Sequence, residues 1–419
     1  MLELLYQKYK DSTGICTDTR KITKDSIFVS LKGANFNGNA YALKALEQGA
    51  KYAVVDEDEY CIDQRFILVK DGLAALQDLA RYHRLQSDIP FIGITGSNGK
   101  TTTKELINAV LSKRYKVHYT FGNLNNHIGV PLTLLSMPAD TEIAVIEMGA
   151  NHIGEIEALC KIALPTHGLI TNIGKAHLEG FGGLEGVARG KSELYRHLQT
   201  NKGVVFVNAQ DEHLARMSTR LDNPFYYLKE NAYCNPSFVS ASPNIVYKTE
   251  HEEVTTQIIG LYNFNNIAAA LCVGKFFDIN EKLANEAISG YVSDNNRSQV
   301  IQKGSNTIIL DAYNANPSSM KAALENFSEI EASLKIIVLG DMFELGKEAF
   351  GEHVSVRQSA EQVGAQTYFV GTEFAKTGEA YSDVSSFVAS GKLGQIKNAT
   401  ILIKGSRGMK LEQLLDVFE

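Results

Sequence analysis

The run Thr95-Gly96-Ser97-Asn98-Gly99-Lys100-Thr101-Thr102 closes the apolar segment Phe91-Ile92-Gly93-Ile94 and opens an amphipathic one. A strand passing through glycines straight into a helix is the build of a phosphate-binding loop, which commits this stretch to an α/β layer. Glycines let successive N–H groups point at an anion, Lys100 reaches the outer phosphates, and Thr101 offers a hydroxyl to magnesium. Gly96, Ser97, Asn98, Gly99, Lys100, Thr101 and Thr102 are therefore candidate nucleotide ligands. The common pattern asks for glycine five places before Gly99, where this chain has Ile94; its glycines stand at Gly93 and Gly96. A ligand-free turn is the competing reading, but turn chemistry alone gives little reason for Gly-Lys-Thr-Thr directly after a strand.

With 419 residues, 44% hydrophobic and 21% charged, the chain is long enough for two or three domains with separate cores. A formal charge of −7 supplies no basic field for nucleic acid or anionic lipid, so phosphate recognition has to be local. Cys16, Cys61, Cys160, Cys234 and Cys272 are odd in number and form no Cys-x-x-Cys pair, which argues against a disulfide framework or a zinc site. The start of the chain has no signal-peptide core, and no later segment holds the roughly 18 uninterrupted apolar residues of a membrane span. A cytoplasmic protein is expected.

Residues 1–88 carry strand-like runs at Ser26–Leu31 and Lys51–Val55 around a helical pattern from Tyr41 to Gln48, a small α/β unit. Ser87-Asp88-Ile89-Pro90 marks a boundary, because proline restricts the residue before it and a strand starts at once. In residues 89–296, strands are expected at Glu142–Met148, Gly168–Asn172 and Gly203–Asn208, and helices at Thr102–Leu111, Gly154–Cys160, Leu184–Leu198, Asn263–Phe277 and Asn280–Ile288. Such alternation implies a mostly parallel sheet covered by helices. The polar run Val292–Asn296 precedes a second series in residues 297–419: strands at Thr307–Leu310, Lys335–Leu339, Thr367–Val370 and Ala399–Ile403, helices at Ser318–Asn326, Glu352–Gln362 and Lys410–Val417. This is a Rossmann-like, doubly wound domain. Residues 209–258 carry no legible pattern beyond a turn at Asn235–Phe238.

Several polar residues stand where ligands bind in open α/β sheets. Glu147 ends the apolar run Ile143–Ile146, and a buried strand-end carboxylate needs a partner, either a helix cation or a magnesium ion beside a triphosphate. His177 follows another strand end, as a loop residue or a ligand. Lys191 lies in a helical stretch and reads, on position alone, as a solvated side chain. Asn263 and Asn266 open an apolar helix, where capping competes with base recognition. Asp311 ends a strand and asks for a ligand, while Asn316-Pro317-Ser318-Ser319 is equally a helix-start signal.

Together these residues resemble the Mur ligases, the ATP-dependent amide-forming enzymes of peptidoglycan precursor synthesis. The shifted Thr-Gly-Ser-Asn-Gly-Lys-Thr-Thr is similar to that family's own phosphate loop. The resemblance covers all three proposed domains: Thr17–Arg20 with Asp25–Gly33, Asn123–Thr133, Leu339–Gly346 and Lys404–Arg407. It implies a UDP-sugar-binding domain over 1–88, a central ATP-binding domain over 89–296 and a ligase domain over 297–419. The segment Asp311-Ala312-Tyr313-Asn314-Ala315-Asn316-Pro317 resembles the members that add D-alanyl-D-alanine. Members adding the third residue, and folylpolyglutamate synthetases, usually have histidine where this chain has Asn316. Asn37 and Asn39 stand where relatives commonly have aspartate and histidine.

The resemblance implies that ATP converts the terminal carboxylate of a UDP-N-acetylmuramoyl-tripeptide to an acyl phosphate, which the amine of D-alanyl-D-alanine attacks. It assigns catalysis to Lys100, Glu147, His177 and Lys191, one magnesium to Thr101 and Glu147, and a second to His177 with a carbamylated Lys191. Asn263 and Asn266 would lie near adenine, with Arg297, Asp311 and Asn314 reaching the nucleotide from the third domain. Thr19, Arg20, Ser30, Asn125, Asn126, Asn316, Ser406 and Arg407 would contact the other substrates. A monomer that closes by rotation about Val292–Asn296 is implied. Other amide ligases of the superfamily, and a non-catalytic nucleotide switch, are the competing readings. Lysine and diaminopimelate remain equal candidates for the tripeptide's third residue.

Overall fold

The computed structural model describes residues 1–241, 243–293 and 297–418. Asp294, Asn295 and Asn296 of the expected hinge therefore lie outside the described residues.

Strands Ile15–Cys16, Ile27–Val29, Tyr52–Val55 and Phe66–Leu68 form a parallel four-stranded sheet in chain order. The central sheet has six parallel strands in the order Phe225–Tyr227, Val204–Asn208, His167–Ile170, Phe91–Thr95, Ile143–Glu147, Val117–Tyr119. Phe91–Thr95 and Ile143–Glu147 are buried at every position, as expected of strands covered on both faces. After Phe91–Thr95 the chain first builds the side ending at Val117–Tyr119, then crosses to His167–Ile170 and builds the other. The switch point thus falls beside Phe91–Thr95, opening a crevice beyond its carboxyl end where the glycine loop lies. The last sheet runs Gln299–Lys303, Asn306–Asp311, Thr400–Lys404, Lys335–Gly340, Gln366–Val370, with only the first pair antiparallel. Its register sets Asp311 opposite Lys404 at the carboxyl ends of adjacent strands.

The cores are less separate than length suggests. One apolar cluster runs from Leu5 and Ile27 through Ile146 and Leu194 to Leu339 and Leu402. Further clusters lie around Phe28, around Ile107 and around Phe387. Helix Gly72–Arg84, just before the expected Ser87–Pro90 boundary, ties neighbouring units together. Its Arg84 stacks 3.7 Å over the Phe91 ring and donates to the carbonyls of Ala163 and Leu164.

Several local expectations change. Leu184–Leu198 is two helices, Leu184–Lys191 and Glu193–Thr200, meeting at Ser192. Lys410–Val417 is not α-helical; 3-10 turns cover Arg407–Met409 and Leu411–Val417. The expected turn at Asn235–Phe238 ends early, because Ser237 opens an antiparallel sheet of Ser237–Ala241, Asn244–Lys248 and Glu253–Ile259. Ile245, Tyr247, Val254 and Ile258 of that sheet share one apolar cluster with helices Asn263–Phe276 and Glu281–Ser289. No helix among the described residues is long and apolar enough to cross a membrane.

Candidate functional site

The phosphate loop is strapped to the neighbouring strand end. Ser97 N and Asn98 N donate to Asn172 O and Asn172 Oδ1, both at 3.0 Å, and Thr171 Oγ1 donates to Asn98 O at 2.5 Å. Gly96, at φ +145, leaves no room for a side chain, since a Cβ there would lie 2.0 Å from Thr171 Oγ1. Gly99, at φ +78, would place one 2.5 Å from Asn266 Oδ1. Gly93 is a packing glycine inside the strand, against Met148 and Pro165. The shifted glycine pattern therefore follows from what abuts the loop. Helix Lys100–Leu111 starts from Gly99 without a side-chain cap, so its first-turn N–H groups are available to an anion.

A cavity of about 640 Å³ opens above the loop, lined from the central unit and from residues 297–404. Loop residues Ser97 to Thr102 line it, as do Asn125, Asn126, Glu147, His177, Asn263, Asn266, Arg297, Asp311, Asn314 and Asn316. Of the expected site residues, Gly96 and Lys191 lie just behind its wall. Thr19, Arg20, Ser30, Ser406 and Arg407 do not line it.

Two buried oxygens in this wall have no hydrogen-bond partner, Thr101 Oγ1 and Glu147 Oε2. Glu147 is 1% exposed, its N–H bonds Thr120 Oγ1, and its Oε1 accepts from Asn125 Nδ2 at 2.8 Å. The Asn125 amide, expected on substrate, is thus engaged with the carboxylate. Asn126 Oδ1 accepts from Ile128 N and Gly129 N, fixing the turn before helix Gly129–Leu135. Lys100 Nζ folds back onto the carbonyls of Gly96 and Ser97, at 2.7 and 3.2 Å. Desolvation pushes its ammonium down to about 8, against the opposing pull of Glu147.

Lys191 is not solvated. It is 1% exposed, donates to Ala150 O at 3.0 Å and lies 5.1 Å from the Phe181 ring centroid. Burial, reinforced by the Lys100 charge, holds the amine well below the usual lysine range, with Glu155 and Glu193 pulling the other way. Asn263 and Asn266 are not helix caps. Thr103 Oγ1 donates to Asn266 Oδ1, Asn266 Nδ2 to Asn263 Oδ1, and Asn263 Nδ2 to Ile259 O, a chain tying the two helices together beneath Gly99.

Residues 297–404 bring cations to the same volume. Arg297 stacks 3.7 Å over Tyr313, with its Nε buried and unpartnered. Asp311 is paired with the buried Lys404 at 2.5 Å, and Asn314 Oδ1 accepts from Ala315 N. Asn316 caps helix Pro317–Glu329 and donates to Asn98 Oδ1. His177 Nδ1 meets the Glu344 carboxylate in a short contact, and that hydrogen bond holds Glu344 below its ordinary range. Ser406 Oγ accepts from Phe343 N, and Arg407 backs Tyr313. Lys404, Tyr313 and Glu344 are not singled out by the sequence patterns, although the strand-end position of Lys404 is a signal for it.

In the first unit, Ser30 Oγ is buried without a partner, while Arg20 forms an exposed pair with Asp18. Asn39 is fully buried: its Nδ2 donates to Asn37 Oδ1 and Asp56 Oδ1, and its Oδ1 accepts from Asp56 N. The two asparagines thus hold a loop.

Family models match in three consecutive blocks: the Mur ligase family catalytic domain at residues 11–84, the Mur ligase middle domain at 94–274, and the Mur ligase glutamate ligase domain at 296–407. The UDP-N-acetylmuramoyl-tripeptide--D-alanyl-D-alanine ligase of Bacillus subtilis (strain 168) is 36% identical, covering 96% of this chain and 92% of its own. MurF from Acinetobacter baumannii superposes with a TM-score of 0.87 at 29% identity, covering 98% of this chain and 97% of that one. MurF ligase from Thermotoga maritima in complex with ADP gives 0.86 at 26% identity over 97% and 96%.

Proposed function

Since this chain belongs to the Mur ligase family, we propose that its cavity uses ATP to join D-alanyl-D-alanine to the terminal carboxylate of a UDP-N-acetylmuramoyl-tripeptide. The observation that carries this is the pair of buried, unpartnered oxygens on Thr101 and Glu147, beside a phosphate loop and facing Arg297 and Lys404. A buried carboxylate with a free oxygen beside the loop hydroxyl is costly unless a cation on the triphosphate meets it, and that is the donor set phosphoryl transfer to the tripeptide carboxylate needs.

A carboxylate oxygen of the tripeptide attacks the γ-phosphorus, and the bond to the ADP oxygen breaks. The amine nitrogen of the dipeptide then adds to the acyl carbon and loses its proton, and phosphate leaves with the electrons of the carbon–oxygen bond. Lys100 and the first-turn amides of helix Lys100–Leu111 hold the phosphates. Arg297 and Lys404 face them from the other wall, and Asn263 and Asn266 hold the floor beneath Gly99. Closing the two walls together excludes water, which would otherwise hydrolyse the acyl phosphate.

Thr101 and Glu147 are hard oxygen donors of the kind magnesium accepts, and His177 with Lys191 would hold a second ion. Bound magnesium would screen the repulsion between carboxylate and phosphoryl oxygens, which for unit charges 4 Å apart is about 4 kcal/mol at a dielectric near 20. The depressed Lys191 amine supports its carbamylation, because the neutral amine is the form that adds carbon dioxide and releases a proton. The enzyme works as a monomer in the cytoplasm, where ATP is held.

Phosphate release with UDP-muramoyl tripeptides of the lysine and diaminopimelate kinds tests the reading. Turnover that requires D-alanyl-D-alanine, and is not supported by single amino acids, is expected. Turnover with single amino acids alone would sink it.

A further inference from the structure

Glu344 and His177 face each other across the seam between the central unit and residues 297–418, and both are non-glycine residues at positive φ, +61 and +52. Backbone of this kind is strained for a residue with a side chain and persists where the surroundings demand it. Two such residues on different units, meeting side chain to side chain, show that the contact is built. The turn around it is docked as well: Glu179 N donates to Glu344 O at 3.3 Å, and the Glu179 side chain packs on Gly346.

We propose that Glu344 is a positioning residue for the cation site, fixing the tautomer and orientation of His177 from the opposite wall of the cavity. A carboxylate only accepts, so Nδ1 of a neutral His177 must carry the proton, which leaves the Nε2 lone pair free for a ligand. A carboxylate behind a metal-binding imidazole raises its basicity and holds its ring. Here that carboxylate comes from the other unit, so the ligand is set only when the two walls meet. Opening the seam releases His177 and dismantles half of the site. The proposal rests on the reading of His177 as a cation ligand.

The Glu344→Ala variant tests it cleanly, because the Glu344 side chain is about half exposed and alanine keeps the same Cβ at the same φ. In the metal-free enzyme, nitrogen-15 NMR of the labelled imidazole is expected to report the Nδ1–H form for the parent and a shift towards Nε2–H for the variant. With an ATP analogue bound, manganese affinity read by electron paramagnetic resonance should fall roughly 10- to 100-fold. Nucleotide affinity should stay unchanged. His177→Ala is measured beside it. If His177→Ala loses manganese affinity and Glu344→Ala does not, the role of Glu344 is overturned while the ligand reading stands. If neither variant loses it, both fall. An unchanged tautomer in Glu344→Ala overturns the proposal by itself.

Discussion

Asn316 Nδ2 donates a 2.7 Å hydrogen bond to Asn98 Oδ1, linking the cap of helix Pro317–Glu329 to the phosphate loop itself. The backbone of Asn98 is held separately by Asn172 and Thr171, so trimming its side chain leaves the loop in place. Asn98→Ala should therefore weaken seating of the third unit without abolishing nucleotide binding. Asn316→Ala loses the same bond and, in addition, the cap on Ser319 N, which costs about 1 kcal/mol of stability. A double-mutant cycle on kcat/KM for the tripeptide should return a coupling of about 0.5 to 1.5 kcal/mol. Strict additivity would show that the bond plays no part in turnover.

Glu147 and Asn125 form the second testable pair. Glu147→Ala removes a buried carboxylate with one orphaned oxygen, so it should abolish turnover while thermal stability holds or rises. Asn125→Ala leaves both oxygens of the buried Glu147 carboxylate without a donor, so it should lower kcat by about 10- to 100-fold and cost about 1 to 3 kcal/mol of stability. A thermal melt beside a steady-state assay checks both. A large drop in melting temperature for Glu147→Ala would mean that the carboxylate supports the fold instead of the reaction.

The sequence makes Glu147 legible because a carboxylate closing four apolar strand residues has nowhere to go but into a ligand or a pair. Lys191 is illegible by the same logic, since helical periodicity says nothing about a lysine turned inwards. It is buried because Gly186 and Gly190, one turn apart, let Phe181 lie against helix Leu184–Lys191. The His177–Glu344 and Asn98–Asn316 contacts span more than 160 positions and depend on how the units dock, which no local pattern encodes. Residues 237–259 hide for another reason. Their short strands are recruited by the apolar cluster they share with helices Asn263–Phe276 and Glu281–Ser289, and only Glu253–Ile259 shows clear alternation of exposed and buried positions.

His167 provides a pH test away from the cavity. Burial beside Phe276 and Phe277 lowers its imidazole from the usual 6.5 to about 4. Between those values the unfolded chain carries a proton that the folded one does not, so stability rises with pH across the window and is lost as pH falls from 6.5 towards 4. The contribution to the slope is one proton, about 1.4 kcal/mol per pH unit. His167→Gln should flatten urea-derived stability by that amount between pH 4 and 6.5. An unchanged slope would place the histidine in contact with water.

Lys191 gives the most direct test of the chemistry. Lys191→Ala removes both the amine and its bond to Ala150 O, and turnover should fall at least about 100-fold if that side chain carries a metal-binding carbamate. Short carboxylic acids that fit the vacated space should restore part of the loss, since they return the missing oxygens. Lys191→Arg should not recover, because a guanidinium stays charged and cannot take up carbon dioxide. Carbon-13 NMR of enzyme equilibrated with labelled bicarbonate should show a carbamate carbon that Lys191→Ala lacks. Parent-like activity in Lys191→Ala would end the carbamate reading, and a carbamate signal without any loss of activity would reduce it to a bystander.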